Sequence, residues 1–171
     1  MSKQHNIFLV GPMGAGKTTI GKQLAAAKNL DFYDSDHEIE ARTGVTIPHI
    51  FDVEGEEGFR RREEDIIDEL SQKQNIVLAT GGGAVIREIN RQHLKSRGTV
   101  IYLHADIEQL LERTSRDKNR PLLQTENPRQ KLEELMATRE PLYRDIADII
   151  INTEQQAVGN VVNHILQKLS D

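Results

Sequence analysis

Four apolar residues, Ile7-Phe8-Leu9-Val10, lead directly into Gly11-Pro12-Met13-Gly14-Ala15-Gly16-Lys17-Thr18-Thr19, and a helical pattern begins at Lys17. A continuously apolar run reads as a strand buried on both faces, where alternation would mean one wet face. The glycine, lysine and threonine spacing is G-x-x-x-x-G-K-S/T, in the strand–loop–helix order that this motif requires. Its chemistry follows from its residues. Phosphate oxygens need several backbone N–H groups converging on them, and glycine lets the chain curl that tightly. The helix N-terminus adds partial positive charge. Gly14, Ala15, Gly16, Lys17, Thr18 and Thr19 are therefore expected to hold the phosphates of a nucleotide, with Lys17 as a mobile point charge and the Thr18 hydroxyl as a magnesium ligand.

The rest of the chain continues the alternation. Phe32-Tyr33 ending at Asp34, Ile76–Ala79, Val100–Leu103 and Ile149–Ile151 read as further strands. Helices are expected over Lys17–Lys28, Glu57–Gln72, Ala84–Leu94, Ile107–Arg113, Gln130–Tyr143 and Val158–Leu169, while residues 36–51 break into short pieces around Gly44 and Pro48. Five strands spaced by helices predict an α/β fold, a five-stranded parallel sheet with helices on both faces. Its 171 residues suit one domain, 1–171.

Composition narrows the function. Charged residues make up 29% and the apolar runs are short, so no segment reads as a membrane span. The start, MSKQHN, lacks the series of a signal peptide. A net charge of −5 offers no basic excess for a nucleic-acid duplex. With no cysteine, disulfides, thiolate nucleophiles and zinc–thiolate sites are excluded, and the six histidines show no ligand-like spacing. The expectation is a reduced, cytoplasmic protein that works on small molecules.

A phosphate loop alone does not choose between kinases, switches and motor-like ATPases. A guanine-reading Asn-Lys-x-Asp string is absent; Arg116-Asp117-Lys118-Asn119 has the wrong order. Asp34 and Asp36 fall where the second strand ends, the edge at which parallel sheets bind ligands. They read as metal- or hydroxyl-binding carboxylates, with Asp36 as a helix cap the competing reading. Among Arg60, Arg61 and Arg62, successive residues point about 100° apart, so one or two face a common cleft. The others are left solvated or paired with Glu63, Glu64 or Asp65. Gly81-Gly82-Gly83 follows the third strand and offers backbone amides to a small ligand, with a plain tight turn the competing reading. Arg113, Arg116, Lys118 and Arg120 crowd a proline-ended insertion suited to a lid that excludes water from the phosphates, with Arg116 and Lys118 read as solvated charge.

Taken in order, the phosphate loop, Asp34-x-Asp36, Phe59-Arg60, Gly81-Gly82-Gly83, Arg120-Pro121-Leu122-Leu123 and Arg139-x-Pro141-Leu142-Tyr143 resemble the shikimate kinase family, especially its bacterial members, over nearly the whole chain. The resemblance implies a fold like that of the nucleoside monophosphate kinases, with a substrate-binding insertion at about 35–62 and a lid at about 113–129. It implies transfer of the ATP γ-phosphoryl to the 3-hydroxyl of shikimate, on the route to chorismate and the aromatic amino acids. It further implies Mg2+ held by Thr18 and, through water, by Asp34, and Asp36 on the substrate hydroxyls as candidate base. Arg60 and Arg139 would clamp the substrate carboxylate beside the Gly81–Gly83 backbone, and Arg120 would reach the phosphates from the lid. Arg113 and Gln156 would flank adenine, although Glu154-Gln155-Gln156-Ala157-Val158 lacks the Arg and Pro common there. The expected partners are ATP and shikimate, with no nucleic acid or membrane, and the expected state is a monomer. The alternatives are another small-molecule kinase, such as a gluconate kinase, and a noncatalytic nucleotide-binding protein.

Overall fold

The computed structural model describes residues 5–114 and 127–170. Five strands, β1 (Ile7–Val10), β2 (Asp31–Asp34), β3 (Ile76–Ala79), β4 (Thr99–His104) and β5 (Ile149–Asn152), form one sheet in the order β2-β3-β1-β4-β5. All four pairings are parallel, with Phe8 opposite both Leu78 and Val100. The α/β expectation thus holds. Every residue of β1 and β3 is buried, as a continuously apolar strand requires.

Alternation along these strands feeds two cores. Phe8, Val10, Leu78, Val100 and Tyr102 face α3 (Ile47–Ser71), α4 (Glu88–Arg97) and α6 (Pro128–Ile146). Ile7, Leu9, Val77, Ile101 and Leu103 face the opposite way, onto α1 (Lys17–Lys28), α5 (Ile107–Thr114) and α7 (Val158–Ser170). Among the described residues no helix is long and apolar enough to cross a membrane.

The region expected to break into short pieces is more ordered than its pattern suggested. Residues Ser35–Thr43 form α2, closed by Gly44 in the left-handed region at φ 72°. Then Thr46 caps α3 through a bond from the His49 amide, with Pro48 in the first turn. The helix bends where Gly55 takes φ 73°, a conformation that costs glycine little. The helix expected from Ala84 is a 3-10 turn, Ala84–Ile86, followed by α4. Arg91 and Asn90 of α4 donate back to the carbonyls of that turn and fix it behind β3.

Candidate functional site

At the C-terminal end of β1 the loop Gly11–Gly16 wraps the start of α1. Gly14 and Gly16 both sit in the left-handed region, at φ 87° and 92°. The Lys17 ammonium is buried under the loop and donates to the carbonyls of Gly11 at 2.6 Å and Pro12 at 2.8 Å. Beside it, the Thr18 hydroxyl donates to Asp34 Oδ2 at 2.6 Å. The other oxygen of that carboxylate accepts from the His37 amide, so the cap of α2 is Asp34 and not Asp36. The reason is register: β2 ends at Asp34, and the helix starts immediately after it.

Freed from capping, Asp36 turns toward the glycine turn. A Cβ placed on Gly81 would lie 2.7 Å from Asp36 Oδ1 and 3.0 Å from Glu63 Oε2, so two carboxylates close on one glycine. The Gly81 amide is not available to a ligand as expected, because it donates to Ser35 Oγ at 3.1 Å. The amides of Gly82 and Gly83, in contrast, make no hydrogen bond to a described residue. Gly82 lies between the phosphate loop and α6: its would-be Cβ is 3.1 Å from the Met13 nitrogen and 3.7 Å from Arg139 Nη1.

One arginine of the three in a row is buried. Arg60 is 6% exposed, while Arg61 and Arg62 face solvent. Arg62 is paired with Glu54 and not with the acids that follow it. Glu63 is taken by Arg60 itself, through Nη1 at 2.9 Å, and Glu56 by Arg60 Nε at 3.3 Å. Glu63 is 1% exposed, and burial pushes its carboxyl above the ordinary range against the pull of Arg60 and Arg139. Sequence reasoning did not single out Glu63 as a site residue; its signal is the i,i+3 spacing from Arg60 on the helix face that also buries Ile67.

Arg139 arrives from α6 with 4% exposure. No carboxylate of a described residue lies within ion-pair distance of it. Burial draws its pKa down against the pull of Tyr143, Glu63 and Glu56, and the neighbouring Arg60 cation adds to the burial effect. Two buried guanidiniums and two unengaged amides thus border one turn. This is an arrangement that a planar carboxylate completes.

A cleft of about 450 Å³ runs from Met13 and Lys17 past Asp34, Asp36, Gly81 and Gly82 to Arg113 and Gln156. Arg60, Gly83 and Arg139 do not line it; they lie against the far part of the glycine turn. The Arg113 guanidinium bonds the Gly14 carbonyl at 2.8 Å, and Gln156 Nε2 bonds the Asn152 carbonyl at 2.6 Å in the loop after β5. Arg120, and most of the expected lid, lie outside the described residues. Among the described residues no cluster of three His, Cys, Asp or Glu could hold a metal ion. The oxygen pair Thr18 and Asp34 fits a hard cation that keeps several waters and leans on substrate phosphates.

The match to known proteins covers the same span. The family model described as shikimate kinase matches residues 13–170. A shikimate kinase of Methylococcus capsulatus is 57% identical over 97% of this chain and 93% of its own. The solved shikimate kinase of Acinetobacter baumannii in complex with shikimate superposes with a TM-score of 0.95 at 55% identity, covering 97% of this chain and 93% of that one. A gluconokinase of Sinorhizobium meliloti shares the fold, with a TM-score of 0.64 at 16% identity over 99% of this chain and 94% of its own. That likeness carries the fold alone, whereas a family model matching residues 13–170 and relatives above half identity over nearly the whole length show the family: the chain belongs to the shikimate kinase family.

Proposed function

We propose that this chain transfers the γ-phosphoryl group of ATP to the 3-hydroxyl of shikimate, giving shikimate 3-phosphate and ADP. The observation that carries the reading is Arg139, a buried cation without a described carboxylate partner, beside Arg60 and the amides of Gly82 and Gly83. A ligand with one planar carboxylate and several hydroxyls satisfies all of these groups. Its hydroxyls then fall toward Asp36, between the glycine turn and the phosphate loop.

Phosphoryl transfer through a loose transition state depends on positioning and on charge. Lys17 leaves its loop carbonyls for the β- and γ-phosphates, and the loop amides cradle them. Thr18, and Asp34 through water, would hold Mg2+, which when bound offsets charge on those phosphates. Asp36 orients the acceptor hydroxyl toward the γ-phosphorus. A carboxylate is a weak base for an alcohol, so orientation contributes more than proton removal. Arg120 brings a further cation to the transferring group, and Arg113 and Gln156 flank the adenine. The insertion at about 35–62 supplies the acceptor site and the segment at about 113–129 the lid. The enzyme works as a cytoplasmic monomer without nucleic-acid or membrane partners; its net charge of −5 suits that state.

A coupled ADP-release assay run in parallel with shikimate, gluconate and AMP tests the reading. Release is expected with ATP, Mg2+ and shikimate together. Equal release with gluconate, or none with shikimate, contradicts it.

A further inference from the structure

The glycine turn is anchored by a group that the reaction scheme leaves unused. Tyr143, fully buried in α6, donates its hydroxyl to the Gly82 carbonyl at 2.5 Å. Its ring is fixed as well: it packs 5.1 Å from the ring of Tyr102, in the core that also holds Phe59 and Val85. Tyr143 follows Arg139 by four residues, one helical turn, and the Arg139 guanidinium lies against the phenol oxygen. One helix face thus carries both the buried cation and the anchor of the turn.

The consequence is geometric. The Gly82 carbonyl and the Gly83 amide belong to one planar peptide, so fixing the oxygen fixes the direction of the N–H. Glycines would otherwise leave that plane free to swing. Bonds at the ends of the turn, from the Gly81 amide to Ser35 and from the Ala84 amide to the Gly81 carbonyl, do not hold this central plane. Donors fixed before a ligand arrives spare it the cost of ordering them.

We propose that Tyr143 is a positioning residue for the acceptor substrate: by holding the Gly82–Gly83 peptide, it fixes the direction of the free Gly83 amide before the acceptor reaches the turn that Arg60 and Arg139 border. The inference rests on the reading of this turn as the shikimate carboxylate site. The test is Tyr143→Phe, which keeps the ring and removes only the donor, with Tyr102→Phe as control. The Tyr102 hydroxyl bonds Glu140 and does not reach the glycine turn. Steady-state kinetics and thermal unfolding are measured on both variants and on the parent. For Tyr143→Phe the KM for shikimate is expected to rise about tenfold, as for loss of one buried hydrogen bond. The KM for ATP should stay within about twofold, and Tyr102→Phe should leave the shikimate KM in place. An unchanged shikimate KM in Tyr143→Phe overturns the inference. So does a parallel rise in both KM values, or an equal rise in Tyr102→Phe, since each marks a general loss of packing. A parent protein inactive toward shikimate overturns the underlying reading, and the inference falls with it.

Discussion

Arg139 and Arg60 border the same glycine turn, yet truncating them should have opposite effects on the free protein. Arg139 is a buried cation with no described carboxylate at ion-pair distance, so in the absence of ligand its charge is a cost to the fold. Arg139→Ala removes two buried methylenes, worth roughly 1.6 kcal/mol at about 0.8 kcal/mol each. It also removes a buried charge that Glu63 and Glu56 offset only from beyond ion-pair distance, a cost to the fold of several kcal/mol. The two offset, and the melting temperature of the free protein should hold or rise. Arg60→Ala strands Glu63, which is 1% exposed and has no second described donor on Oε2. Breaking a buried pair in this way costs about 3–5 kcal/mol, or roughly 6–20 °C in a chain of this size. Both variants should weaken shikimate binding by about 2–5 kcal/mol, roughly 30- to 5000-fold in Kd. Differential scanning fluorimetry gives the first quantity, with and without shikimate, and titration calorimetry the second. Arg60→Ala combined with Glu63→Gln should regain stability without regaining binding. If Arg139→Ala destabilises the free protein as much as Arg60→Ala, the argument from its buried charge is refuted.

Three further outcomes follow from the same geometry. Lys17→Ala should remain folded and lose turnover severely, because the ammonium now held by loop carbonyls is the charge offered to the phosphates; near-parental turnover in a folded variant would contradict the phosphate-loop assignment. A Cβ on Gly83 would fall on the Arg60 guanidinium, so Gly83→Ala should raise the shikimate KM through displacement of Arg60 while leaving ATP affinity near parental, as steady-state kinetics would record. Arg120→Ala should lower turnover by a factor of roughly 10³–10⁵, the scale for an arginine delivered to the transferring phosphoryl, with a much smaller change in ATP affinity; equal losses in both would reassign it to nucleotide binding.

Much of this arrangement was legible in the residues because backbone and burial demands are local. Continuous apolar runs marked the buried strands, and the Gly-Lys-Thr spacing marked the anion-binding turn, each from a few adjacent positions. The segment 35–55 was harder. Its helices are amphipathic only weakly, and they depend on single residues, the capping hydroxyl of Thr46 at the start and the positive φ of Gly55 at the bend. The competing reading of Asp36 as the cap of α2 fails, and Asp34 takes that place, because the end of β2 is set by pairing with β3, Asp34 opposite Ala79, which the local pattern does not contain. Glu63 was missed for a different reason. Charged residues on a long helix are read as solvated, and only the tertiary packing of α3 against the glycine turn buries Arg60 and Glu63 as a pair. The role of Tyr143 was likewise hidden, since a hydroxyl bonding a carbonyl 61 positions away leaves no trace in local spacing.

The central claim is that one turn, held by Arg60, Arg139 and the Gly82 and Gly83 amides, fixes the acceptor by its carboxylate and presents a single hydroxyl beside Asp36 to the phosphate loop. Phosphorus–proton correlation NMR of the product formed from ATP, Mg2+ and shikimate tests this directly. The account predicts one monophosphate, with phosphorus coupled to the ring proton at carbon 3. Phosphate at another hydroxyl, or a mixture of positions, would contradict it.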